Sequence, residues 1–74
     1  MKILGIFSRR EEQVGYRLSG MNTKLVKDKN ELEEVLTNLK GVGILVIDNN
    51  VYNLLPEKFD KLEKKKIPLL LKVD

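Results

Sequence analysis

Ser8, Arg9 and Arg10, taken with Asp48 and Asn49, are the residues in this 74-residue chain whose types and spacing suggest chemistry. Each group follows directly on an apolar run, KILGIF in the first case and GILVID in the second. If both runs are strands of one parallel sheet, their carboxyl ends share a crevice. In such a sheet that crevice is the default ligand site. A phosphate cradle, however, needs glycine or small hydroxyl residues so that backbone amides can approach the anion. SRREE supplies one serine and four bulky charges. GVG at Gly41 to Gly43 precedes a strand, at the wrong end for a cradle, and reads as a helix stop. Nucleotide binding is not expected.

Asp48 invites a second comparison. An aspartate at the end of a third strand resembles the phospho-accepting position of receiver domains. Receivers add a paired acidic cluster after strand one and a lysine after a fifth strand. Glu11 and Glu12 fall too late, inside a helical pattern, and 74 residues leave no room for a fifth strand. Asp48 reads instead as the cap of the turn that follows it.

Much other chemistry is absent from the composition. With no cysteine and no histidine there is no disulfide, no thiol nucleophile, no imidazole base and no Cys/His metal site. A carboxylate-only magnesium site or a lysine nucleophile remains open, but neither is favoured, and no cofactor is expected. Fourteen basic against eleven acidic residues give a net charge of +3, part of it in Lys64, Lys65 and Lys66 at the end of a helical pattern. Cations there complement the helix dipole. Aromatic residues are only 5% of the chain, which leaves few stacking platforms for nucleic acid. No apolar run approaches the roughly 18 residues of a membrane span, and MKILGIF is too short for a signal-peptide core. A soluble, cytoplasmic chain is the expectation.

The elements that must position these residues follow from periodicity. KILGIF (Lys2 to Phe7) is a buried strand, and Ser8 with Glu11 forms a capping-box pattern that opens a first helix. Val14, Leu18 and Met21 have the spacing of one helical face, expected to point inward, and Gly20 stops the helix. TKLV, with Lys24 inside it and Lys27 directly after it, suits a sheet edge. Asp28 or Asn30 caps a second helix carrying Leu32, Val35, Leu36 and Leu39, closed by Gly41. GILVID is a central strand covered on both faces. A loose turn to about Leu55 leads into a helix with Pro56 in its first turn, and IPLLLKV (Ile67 to Val73) is the last strand. The alternation predicts an α/β fold: a small flavodoxin-like three-layer domain with a four-stranded parallel sheet of order 2-1-3-4 and helices on both faces.

MKILGIF at the start, GYRLSG at Gly15 to Gly20, GVGILVID and IPLLLKV together resemble the F subunits of the V-type and archaeal-type (A-type) rotary ATPases. The likeness covers essentially the whole chain. Its most specific mark is glycine, aromatic, Arg, Leu, small residue, glycine after the first strand. The resemblance implies a non-catalytic central-stalk (rotor) component beside the long coiled coil of the D subunit, linked through that stalk protein to the catalytic A/B head and the membrane rotor. Such a part helps couple ATP hydrolysis or synthesis to proton or sodium transport. It is peripheral to the membrane, without insertion, and binds no nucleic acid. Tyr16 and Arg17 are then the candidate partner-binding residues, on the outer side of the first helix. Gly15 would let that helix lie tight on the sheet, and Gly20 would adopt a positive φ. Family members continue into a C-terminal segment. Residues 1–74 are therefore read as a single globular domain lacking that tail. A receiver-like signalling domain and a small basic nucleic-acid-binding protein are the alternatives.

Overall fold

In the computed structural model, which describes residues 2–65 and 68–73, strands and helices alternate along the chain. They are β1 (Lys2–Phe7), α1 (Arg10–Leu18), β2 (Asn22–Leu25), α2 (Lys29–Thr37), β3 (Val42–Asp48), α3 (Asn49–Leu54), α4 (Pro56–Lys64) and β4 (Leu69–Val73). The strands form one sheet of order β2-β1-β3-β4, and every neighbouring pair is parallel. This is the flavodoxin-like arrangement expected from the sequence. The expected strand start at Ile67, and Lys66 of the basic run, lie outside the described residues.

Side chains alternate across the sheet, so each strand feeds two layers. Leu4 and Ile6 of β1 and Leu45 and Ile47 of β3 face α2, α3 and α4. There Ile6, Leu45 and Ile47 meet Val26, Leu32, Val51 and Phe59 in a core in which no member is more than 1% exposed. Each such side chain contributes about 1.5–3 kcal/mol by leaving water. The opposite face carries Gly5, Phe7 and Val46, and α1 packs there over β1 and β2. Leu69 and Leu71 of β4 and Ile3 of β1, by alternation on this second face, stay about half exposed, at 53%, 45% and 41%.

The helix ends follow local chemistry. Asp28 caps α2: its Oδ1 accepts from Glu31 N at 2.9 Å, and Glu31 Oε1 accepts from Lys27 N at 3.1 Å. The two side chains thus satisfy donors on each other's backbone neighbourhood, as helix openings require. Pro56 occupies the start of α4, where its missing N–H costs nothing. Tyr52 on α3 donates its hydroxyl to Asp60 Oδ1 on α4 at 2.7 Å, and Lys72 Nζ of β4 sits 4.2 Å from the centre of the same ring.

Several expectations are corrected. Asn49–Leu54 is a helix rather than a loose turn, because the Asp48 side chain caps it. Ser8 does not cap α1: Arg9 holds the cap position without a side-chain bond. Leu18 points outward and is 81% exposed. α1 has no fully buried residue; its half-buried side chains include Gln13, Val14 and Tyr16, so its packing face is not the apolar stripe of Val14 and Leu18. Gly15 is not a close-approach glycine, since a Cβ there would meet nothing within 4 Å.

Candidate functional site

The crevice at the carboxyl ends of β1 and β3 does bring Ser8 and Asp48 together, in a structural role. Ser8 N and Ser8 Oγ both donate to Asp48 Oδ2, at 3.0 and 3.1 Å, and Val51 N donates to Asp48 Oδ1 at 2.7 Å. Asp48 is only 3% exposed. Both carboxylate oxygens are thereby engaged by charge-assisted bonds that lock the end of β1 to the end of β3 and start α3. A carboxylate this buried and held by three bonds serves the fold at this crevice. Arg9 turns to Glu12 on its own helix, Nη1 to Oε1 at 3.8 Å, and Arg10 is exposed. Among the described residues no group of three or more carboxylates is placed to hold a metal ion.

The segment VGYRLSG ends α1, and its hydrogen bonds explain its composition. Met21 N donates to Tyr16 O at 3.3 Å and Gly20 N to Arg17 O at 3.0 Å, the paired bonds of a Schellman stop. Gly20 has φ +95°, the left-handed conformation this stop requires and glycine adopts freely. Ser19 adds a third tie, its Oγ donating to Tyr16 O at 2.6 Å. The helix end is thus closed by Tyr16, Ser19, Gly20 and Met21 acting together.

Tyr16 lies half-buried with its ring stacked on Phe7 of β1. Phe7 in turn lies back over Gly5: a Cβ on Gly5 would stand 2.5 Å from Phe7 Cε2 and 3.0 Å from Met21 Sδ. Gly5 is therefore the close-approach glycine of this layer. Periodicity passes over it because a strand glycine within an apolar run leaves the pattern unbroken; only the packing of Phe7 and Met21 marks it.

Arg17 projects from the last turn of α1 and is exposed. It lines a cleft of about 680 Å³ at the amino ends of β1 and β2, opposite the crevice expected from the fold. Lys2, Lys24 and Lys40 line the same cleft. Motif and period give no sign of this grouping, because the four cations come from two strands, a helix and a loop far apart in the chain. Among the described residues no helix is long and apolar enough to cross a membrane.

No curated protein and no solved structure matches the chain. A family model does, over nearly its whole length: residues 4–74 match the ATP synthase (F/14-kDa) subunit, and that span takes in all of the sheet but Lys2 and Ile3, with the Schellman stop and the Ser8–Asp48 lock. With the four-stranded parallel sheet in the expected order, this match places the chain in the F-subunit family of the V-type and archaeal-type rotary ATPases.

Proposed function

We propose that the chain is a non-catalytic rotor component of the central stalk, seated on the coiled-coil D subunit. Through that stalk protein it is joined to the catalytic A/B head and the membrane rotor, on the cytoplasmic side and peripheral to the bilayer. There it helps couple ATP hydrolysis or synthesis to proton or sodium transport. The observation that carries this reading is the family match across residues 4–74. The engagement of both Asp48 oxygens supports the non-catalytic part, since the crevice where α/β folds of this order hold ligands is filled by the protein's own bonds. It also speaks against a receiver-like role, which needs an accessible aspartate.

Arg17 and Tyr16 are the proposed contacts with the stalk. Arg17 presents a planar fork suited to a carboxylate. Tyr16 offers only its exposed part, and its ring on Phe7 holds the helix end that presents Arg17. Mixing the purified chain with the coiled-coil stalk protein and separating the products by size tests the assignment. Co-elution is the expected result; separate elution at micromolar concentration would overturn it. The isolated chain should neither hydrolyse nor bind ATP, and saturable micromolar binding in calorimetry would overturn that expectation.

A further inference from the structure

We infer that the cleft between the ends of α1 and α2 is the docking site for an acidic, amphipathic segment of a protein partner. The inference rests on the stalk reading for the name of that partner, and on the cleft itself for its chemistry. Among the described lining residues, Lys2, Arg17, Lys24 and Lys40 stand against one carboxylate, Glu34. Four cations against one anion make a local excess of three, as large as the net charge of the whole chain, so the rest of the molecule is balanced. Among the described residues none of these four cations makes an ion pair; the two pairs that form are Arg9 with Glu12 and Lys58 with Glu33.

Dipole compensation accounts for only part of this. Arg17 stands in the last turn of α1, where a cation is favoured, but Lys2 and Lys24 lie on strands and α2 has no basic residue in its last turn. The four cations are gathered at one end of the sheet with one carboxylate among the described lining residues, so the cleft is complementary to an anionic occupant. The walls are not purely polar: Ile3 is 41% exposed beside half-buried Met21 and buried Val42. A free anion would leave this apolar part wet, whereas a segment bearing an aliphatic side chain among carboxylates fills both parts. Among the described residues no aromatic side chain lines the cleft, so they offer no platform on which a nucleic-acid base would stack.

The test is nitrogen-15 NMR titration of the full chain with two probes, the coiled-coil stalk protein and a synthetic helical peptide carrying glutamates beside a leucine stripe. Shifts centred on Lys2, Thr23, Lys24 and Arg17 with both probes are expected. Charge reversal at Lys24→Glu with Lys40→Glu should weaken binding about tenfold or more, because attraction to the acidic segment is replaced by repulsion, and raised salt should weaken the parent more than this variant. Lys61→Glu with Lys64→Glu, on α4 and outside the cleft lining, is the charge-matched control and should bind like the parent. If the stalk protein binds but shifts amides elsewhere, or both double variants weaken it equally, the cleft inference fails while the stalk reading stands. If the stalk protein does not bind and the peptide still shifts the cleft, the stalk reading fails and the cleft chemistry stands. No cleft response to either probe overturns the inference.

Discussion

The ring of Tyr16 lies 4.8 Å from that of Phe7, centre to centre, with the planes 12° apart. This contact fastens α1 to the sheet, while Leu18, two residues on, is 81% exposed. Replacing Tyr16 by leucine keeps apolar volume and removes the stack, at a cost of about 0.5–1.5 kcal/mol. Leu18→Ala should change stability by no more than about 0.5 kcal/mol, as an exposed position does. Urea unfolding of both variants checks the order; a larger loss at Leu18 would contradict the orientation of α1.

Gly5 carries the tightest packing in the α1 layer. Gly5→Ala places a methyl group 2.5 Å from Phe7 Cε2, so the Phe7 ring must move, and with it its stack on Tyr16. Overpacking of this kind costs about 1–3 kcal/mol. Gly15→Ala is the control: a Cβ there meets nothing within 4 Å, and alanine is the better helix former by about 1 kcal/mol, so the domain should be stabilised. Thermal melting of the two variants should therefore shift in opposite directions.

The Ser8–Asp48 lock predicts coupling between two residues 40 positions apart. Ser8→Ala loses one hydroxyl bond, at about 1 kcal/mol, whereas Asp48→Ala strands the amides of Ser8 and Val51 and should cost at least twice that. In a double-mutant cycle the two losses should not add, since Ser8 Oγ has nothing to bond once the carboxylate is gone. Simple additivity would show that the hydroxyl bond contributes nothing.

Tyr52 titrates above the ordinary tyrosine value of 10.0, first because its hydroxyl donates to Asp60, then through desolvation and the negative charges of Asp60 and Glu63. The folded value is raised, so the bond's contribution is fully present below the unfolded value. It is lost as pH rises through the folded value, in the alkaline range. Ultraviolet titration of tyrosinate should show Asp60→Asn bringing this ionisation down. An unchanged titration would remove Asp60 as the cause.

Features written in local pattern are legible from the residues alone. The apolar runs specify four strands, helical spacing and Asp28 specify α2, Pro56 marks the start of α4 and Gly20 the end of α1, since each acts on the backbone within a few residues. Alternation of strands and helices then restricts the sheet to parallel neighbours, because crossovers in such folds have one hand. Asp48 as a cap is equally local. Features that depend on residues distant in the chain emerge only once the chain is folded. Ser8 stands where a capping serine belongs, yet Asp48 brought alongside by β3 offers a charged acceptor and takes its hydroxyl instead. Leu18 fits the apolar period of α1, but the short helix rests on the sheet through Tyr16 and Phe7, so the periodic residue faces solvent. The basic cleft is least visible of all in one dimension: Lys2, Arg17, Lys24 and Lys40 become neighbours only because parallel strands set their amino ends side by side where α1 and α2 finish.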